Sequence, residues 1–175
     1  FSMSNLRYIK EVNGLGATTL SVTDVFNADF DIYKIVYFCV NDSGSPKGVS
    51  MRLINSSGSV ITSSKYNRAI HQLNTNVNFT TNKTADGDNF IDLFGNVRVV
   101  PEGANGVMYI FNPFSSTEFT QIIQEGWMNW SGSRAGTKSM GVLEENTSVT
   151  GFQAILPSTN LTTATNIKIY GLSIT

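Results

Sequence analysis

Apolar residues along this chain alternate with polar ones or gather in short runs of five to nine, and turn-rich stretches separate the runs. That is the signature of many strands rather than of long helices. Ile32 to Val40 (IYKIVYFCV) is almost continuously apolar and rich in aromatic and β-branched side chains, which predicts a central strand buried on both faces. Val49 to Ile54 and Val60 to Ser63 flank Asn55-Ser56-Ser57-Gly58-Ser59 and predict a hairpin, because Gly58 can take the positive φ at which the chain reverses. Further strands are expected at Leu6 to Val12, Thr18 to Val25, Tyr66 to Leu73, Phe90 to Val100, Val107 to Asn112, Gly141 to Glu144 and Val149 to Leu156.

The last strand, Asn166 to Ile174, alternates through Ile167 and Ile169 and then slips to Leu172 and Ile174, so a bulge is expected at Gly171. Ser115 to Glu118 has capping-box spacing, with Phe119, Ile122 and Ile123 at helical intervals after it. The same residues read as a strand with Phe119, Gln121 and Ile123 on one side. The strand is favoured because its neighbours are strands and Gly126 ends the run. Thr80 to Asp88 and Ser131 to Lys138, small and polar, are expected to be loops. About ten to twelve short strands predict an all-β fold, an antiparallel β-sandwich of jelly-roll-like form.

A length of 175 residues suits one domain with a sizeable core. Phe1 and Ser2 precede Met3 and read as a cloning remnant, leaving a single sandwich domain over residues 3–175. Charged residues are 14% of the chain and the formal net charge is −1, which argues against a basic nucleic-acid surface or a polybasic membrane anchor. In their place stand 18 Asn, 19 Ser and 18 Thr, a composition suited to a protein packed among copies of itself or facing the outside world. No apolar run reaches the roughly 18 to 20 residues that span a bilayer, and no signal peptide is recognised, so a soluble chain is expected.

Catalytic chemistry finds few candidates. His71 is the single histidine and lies beside core positions without a local nucleophile signature, so a structural or surface role is expected. Cys39, the single cysteine, has no intrachain partner and reads as a small core hydrophobe. Asp86, Asp88 and Asp92 place carboxylates near one another on a glycine-containing loop, as either a solvated turn, which is favoured, or a weak calcium site. Glu144 and Glu145 are adjacent and on a strand would point to opposite faces, so they cannot form an acid/base pair alone. Gly14-Leu15-Gly16 and Gly103-Ala104-Asn105-Gly106 read as turns rather than phosphate loops. No catalytic, cofactor or metal residue is assigned. Trp127 and Trp130, with Tyr109, Phe111 and Phe114 near in sequence, are the candidate contact residues, through interface packing or as a platform for a sugar face. Asn-x-Ser/Thr triplets at Asn55, Asn78, Asn82, Asn129, Asn146 and Asn160 are attributed to composition.

Two stretches carry a family likeness. One is the hairpin Arg52-Leu53-Ile54-Asn55-Ser56-Ser57-Gly58-Ser59-Val60-Ile61 followed by Tyr66. The other is Val149-Thr150-Gly151-Phe152-Gln153, a polar turn, and then Ile167-Lys168-Ile169-Tyr170-Gly171-Leu172. Together they resemble small β-sandwich virion proteins of tailed bacteriophages, especially marine phages of cyanobacteria. The resemblance implies a non-enzymatic structural protein of the virion, assembled in the host cytoplasm as a capsid decoration, head-fibre or tail-associated component. It further implies a homotrimer bound to other virion proteins, and it carries no catalytic residues. The second expectation is a host-receptor or carbohydrate-binding module acting through Trp127 and Trp130 on a host-surface glycan. Neither expectation involves nucleic acid, a membrane or a cofactor.

Overall fold

A computed structural model describes residues 5–75, 80–88, 90–130 and 133–172, with the backbone alone for residues 80–87, 92–95, 129, 130 and 133. Among these residues the chain forms twelve strands and no helix. They are β1 (Leu6–Asn13), β2 (Thr19–Val22), β3 (Ile32–Cys39), β4 (Lys47–Asn55), β5 (Tyr66–Asn74), β6 (Thr80–Asp88), β7 (Ile91–Val97), β8 (Ala104–Phe111), β9 (Thr120–Trp130), β10 (Ser133–Leu143), β11 (Val149–Ile155) and β12 (Asn166–Leu172).

The strands make two antiparallel sheets packed as a sandwich, so the all-β reading holds. Eight strands run in the order β1-β12-β3-β8-β9-β10-β5-β6 and four in the order β2-β11-β4-β7. Four pairings are nested within one another: β1 with β12, β2 with β11, β3 with β8, and β4 with β7. The β5–β6 and β9–β10 hairpins are inserted into this nest and widen only the larger sheet.

Alternation along each strand sends one set of side chains between the sheets. Tyr33, Ile35, Tyr37 and Cys39 of β3, with Met108 and Ile110 of β8, are buried against Leu20, Met51, Leu53 and Phe152 of the smaller sheet. Each such apolar side chain stabilises the fold by about 1.5–3 kcal/mol when fully withdrawn from water. Rings of Phe26 and Tyr33 meet edge to face with centroids 4.7 Å apart, and Phe26 lies 6.2 Å from Phe152 in the other direction. Tyr66 crosses from the large sheet to the small one. Its hydroxyl accepts from the Leu53 amide (3.0 Å) and donates to the Ile61 carbonyl (3.1 Å), and burial pushes its pKa up to about 12.

One part of the interior is polar. Gly106 and Gly126 are paired across β8 and β9, and a Cβ on either would come within 2.6 Å of the Tyr37 hydroxyl. The two glycines therefore form a notch into which the tyrosine hydroxyl is laid. There the Gln124 amide donates to the Tyr37 hydroxyl (2.6 Å), while Ser139 donates to the Gln124 carbonyl oxygen (2.5 Å). Thr137 completes the group at 3.2 Å from the Gln124 amide nitrogen. Gln124, Thr137 and Ser139 are all buried, and mutual bonding is what makes their burial tolerable.

Several expected features differ. Thr80 to Asp88 is strand β6 and residues 133–138 of the expected Ser131 to Lys138 loop lie in β10, because pairing with neighbouring strands organises these polar stretches; residues 131 and 132 lie outside the described residues. β9 runs on through Gly126 to Trp130, and Ala104 to Gly106 belongs to β8 rather than to a turn. Val60 makes a single bridge to Ile54, so the Gly58 turn (φ 82°) reverses the chain without building a second arm. The Ser115 hydroxyl does accept from the Thr117 and Glu118 amides, yet no helix follows. The register of β12 is unbroken against β3 and the irregularity lies in β1, between Tyr8 and Lys10. Gly171 is instead a glycine because the Phe30 ring occupies its Cβ position, at 2.3 Å. Residues 1–4 and Ile174 lie outside the described residues.

The loop after β3 is clamped to the loop before β12. The Asp42 carboxylate accepts from the Thr159 hydroxyl, from the Asn160 amide (3.1 Å) and from the Asn160 side chain (2.8 Å). These bonds hold its pKa down to about 2, below the ordinary aspartate value of about 4. A depressed carboxylate adds stability that is complete above the unfolded value and lost as pH falls through the folded one. Thermal melts between pH 5 and pH 2 should therefore show a decline between about pH 4 and about pH 2 that Asp42→Asn reduces. An unchanged decline in the variant would remove Asp42 as its source.

Two substitutions test the interior. Gly126→Ala should destabilise by about 1–3 kcal/mol in denaturant titration, since the new methyl displaces the Tyr37 hydroxyl or Gln124. Thr120→Val should be neutral or stabilising by about 1 kcal/mol, because the Thr120 hydroxyl is buried without a hydrogen-bond partner. A clear loss of stability in Thr120→Val would show that its hydroxyl is bonded after all.

Candidate functional site

The smaller sheet covers one face of the larger and leaves the other outermost. Alternation on seven strands of the large sheet with described side chains therefore displays a second, continuous set of residues. Their register is fixed by strand pairing. One row runs Leu6, Leu172, Ile32, Phe111, Gln121 and Val142 across β1, β12, β3, β8, β9 and β10. The next row runs Tyr8, Tyr170, Lys34, Tyr109, Ile123 and Met140 across the same strands and ends at Ala69 of β5. These two rows are apolar apart from Gln121 and Lys34.

Side chains within the rows support one another. Tyr8 and Tyr170 pack edge to face with centroids 5.8 Å apart, and the Lys34 ammonium stands 6.0 Å from the Tyr109 ring centroid. A groove of about 520 Å³ opens where Phe111, Ile123, Met140 and Val142 meet. Met140 is 60% exposed and Tyr8 54%.

A charged row borders the apolar ones. Across β1, β12, β3, β8, β9 and β10 it reads Glu11, Lys168, Val36, Val107, Glu125 and Lys138, with His71 of β5 at its end. Lys138 meets Glu125 at 2.8 Å and Lys168 meets Glu11 at 3.9 Å, so these charges are paired within the face. Glu11 also accepts from the Asn166 side-chain amide at 2.5 Å.

The residues singled out in the sequence are dispersed by the fold. Trp127 is exposed on this outer face, opposite Asn105 and Gly136 and two rows beyond Ile123. Trp130 closes β9 opposite Ser133, and its side chain lies outside the described residues. Tyr109 and Phe111 share the face with Trp127 but sit in other rows, and Phe114 lies on the loop between β8 and β9. Among the described residues, no aromatic ring stacks on Trp127. Ile32 to Val40 is likewise buried on one face only, since Val36 remains 40% exposed, which corrects the two-sided burial expected of that strand.

The other candidates separate as well. Cys39 is fully buried on the inner face and burial pushes its thiol up to about 12, whereas His71 is exposed on the outer face. The Asp86, Asp88 and Asp92 group is divided between β6 of the large sheet and β7 of the small one rather than sharing a loop. Asp88 meets Arg68 at 3.4 Å, and the side chains of Asp86 and Asp92 lie outside the described residues. Glu145 accepts from the Ser63 hydroxyl at 2.7 Å while Glu144 is exposed.

Sequence reasoning passed over Met140, Ile123, Tyr8 and Tyr170 as contact residues; the four share one row of the outer face. A signal was present. Val107 to Phe111, like Ile32 to Val40, is apolar at consecutive positions, and in a strand that places apolar side chains on both faces. A second concavity, a cleft of about 250 Å³, is lined by Asn27, Phe30, Asp31, Asn112, Phe114 and Glu118, among others.

No protein-family model, curated protein or solved structure matches this chain.

Proposed function

We propose that this chain is a non-enzymatic structural protein of a tailed-phage virion, a capsid decoration, head-fibre or tail-associated component that works by self-assembly and by binding other virion proteins. The observation that carries the assembly part is the apolar part of the large sheet's outer face, whose two adjoining rows hold tyrosine, isoleucine, phenylalanine and methionine side chains. Exposed apolar areas of this breadth mark interaction surfaces. We read the nested strand pairing as a jelly-roll core with two inserted hairpins, a frame used by shell proteins and by lectins alike. The virion assignment rests on the likeness of the Arg52 to Ile61 and Val149 to Leu172 stretches.

The dispersal of reactive groups supports binding over turnover. His71 and Cys39 stand on opposite faces of one sheet and cannot act together, and Asp88 is engaged by Arg68. With net charge near zero, assembly depends on shape and apolar contact more than on electrostatic steering.

A host-receptor or carbohydrate-binding role is the second reading, and the fold moves its seat. Phe114, exposed beside Asn27, Asp31, Asn112 and Glu118, offers a ring and hydrogen-bonding groups in one cleft. That pairing suits a sugar better than the Trp127 ring by itself does.

Mass spectrometry of gradient-purified phage particles that encode this chain should find it at several or more copies per particle. Its absence from the particles would overturn the virion reading. On a glycan array, binding that Phe114→Ala abolishes would establish the second reading, and no binding would remove it.

A further inference from the structure

We infer that the outer face of the eight-stranded sheet is the contact surface between copies of this chain, so that its occupant is a second molecule of the same protein. The inference rests on the assembly reading above and names the surface that performs it.

β3 is an interior strand of the larger sheet, third of its eight. Ile32 to Cys39 carries the near-continuous apolar pattern of a strand covered on both sides. One side is covered by the smaller sheet, yet Val36 on the other stays 40% exposed. β8 repeats the pattern beside it, with Met108 and Ile110 inward and Tyr109 and Phe111 outward. A folded monomer thus satisfies half of what these strands require.

The size of the face fits a protein partner. Seven strands about 4.8 Å apart and four rows about 6.8 Å apart give a surface of about 30 by 20 Å, or about 600 Å². Two such faces together approach about 1,200 Å², where specific interfaces begin. A small ligand would fill the groove at Met140 and leave the Tyr8 and Tyr170 end bare.

Charge decides which partner. Burying an unpaired charge is costly, but Glu125 and Glu11 are already matched by Lys138 and Lys168 within the same face. Apart from Lys34, a charged partner would find the charges of these rows already opposed. A second copy brings an identical face, apolar along two rows and internally neutralised along the third, and strands no acidic group when the two close. Lys34 keeps the Tyr109 ring beneath it. Sheet faces of this kind pack at about 10 Å, as the two sheets of one chain do.

The test is the solution mass by light scattering after size-exclusion chromatography, from about 1 to about 200 μM. The wild-type chain is compared with Met140→Lys, with Ile123→Glu, and with Leu15→Lys as a control. Leu15 is 78% exposed and lies in the β1–β2 loop, outside the face. Met140 and Ile123 are themselves exposed, at 60% and 41%, so circular dichroism melts should show each variant folded. The expected result is an oligomer for the wild type and for Leu15→Lys, with the dissociation constant raised at least 100-fold in both face variants. A monomer at every wild-type concentration would overturn the inference, as would an oligomer that persists unchanged in both folded face variants.

The virion reading stands or falls separately. A chain that oligomerises through this face but is absent from particles keeps the inference and loses that reading. A chain found in particles whose face variants still assemble does the reverse.

Discussion

Unequal width of the two sheets is the constraint on which the rest of this structure depends. Four strands cover only one side of the eight, so the described side chains of the larger sheet point either toward the smaller sheet or onto a broad outer face. The nested pairs alone would give two sheets of four strands each. The β5–β6 and β9–β10 hairpins break that balance, because both add to the same sheet. What results is a compact core against the smaller sheet and, on the other side, a surface with two adjoining rows that are apolar apart from Gln121 and Lys34.

The inserted hairpins also change what the interior is made of. Near β3 and β12 the space between the sheets is filled by Tyr33, Ile35, Ile167 and Ile169, as in any sandwich. On β9 and β10 the inward positions include Gln124, Thr137 and Ser139, which bond to one another and to Tyr37 across two glycines. A one-residue slip in β9 or β10 would turn the bonded groups outward and bring the charged Glu125 or Lys138 into the core. The network thus ties the added strands to one register, at the cost of a tight fit that no side chain beyond glycine satisfies at positions 106 and 126.

Function in this reading follows from the same asymmetry. Reactive side chains are scattered between faces and sheets, whereas apolar ones are gathered, and gathering is what a binding protein requires. The acidic cleft at Phe114 sits on loops at an end of the sandwich, a place where sandwiches also carry ligands. The two surfaces draw on different chemistry, one on apolar area and the other on a ring beside amides and carboxylates.

By itself, the sequence determined the class of fold, most of the strands with strongly apolar patterns, the inert burial of Cys39 and the turn at Gly58, because alternation, chain reversal and side-chain size are local properties. It misplaced the strands at Thr80 to Asp88 and Ser133 to Lys138, whose small and polar residues carry no apolar alternation and whose order comes from backbone pairing with neighbours distant in the chain. It set the irregularity at Gly171, where a remote ring, Phe30, is the reason for glycine, and it gathered Asp86, Asp88 and Asp92 into a loop that the fold divides between two sheets. The outer face was half legible. Continuous apolar runs in β3 and β8 marked two apolar sides, but which side stays open depends on where the four-stranded sheet lands. That choice, and with it the row from Tyr8 to Met140, is made by pairing between residues far apart in the chain, and only the tertiary structure decides it.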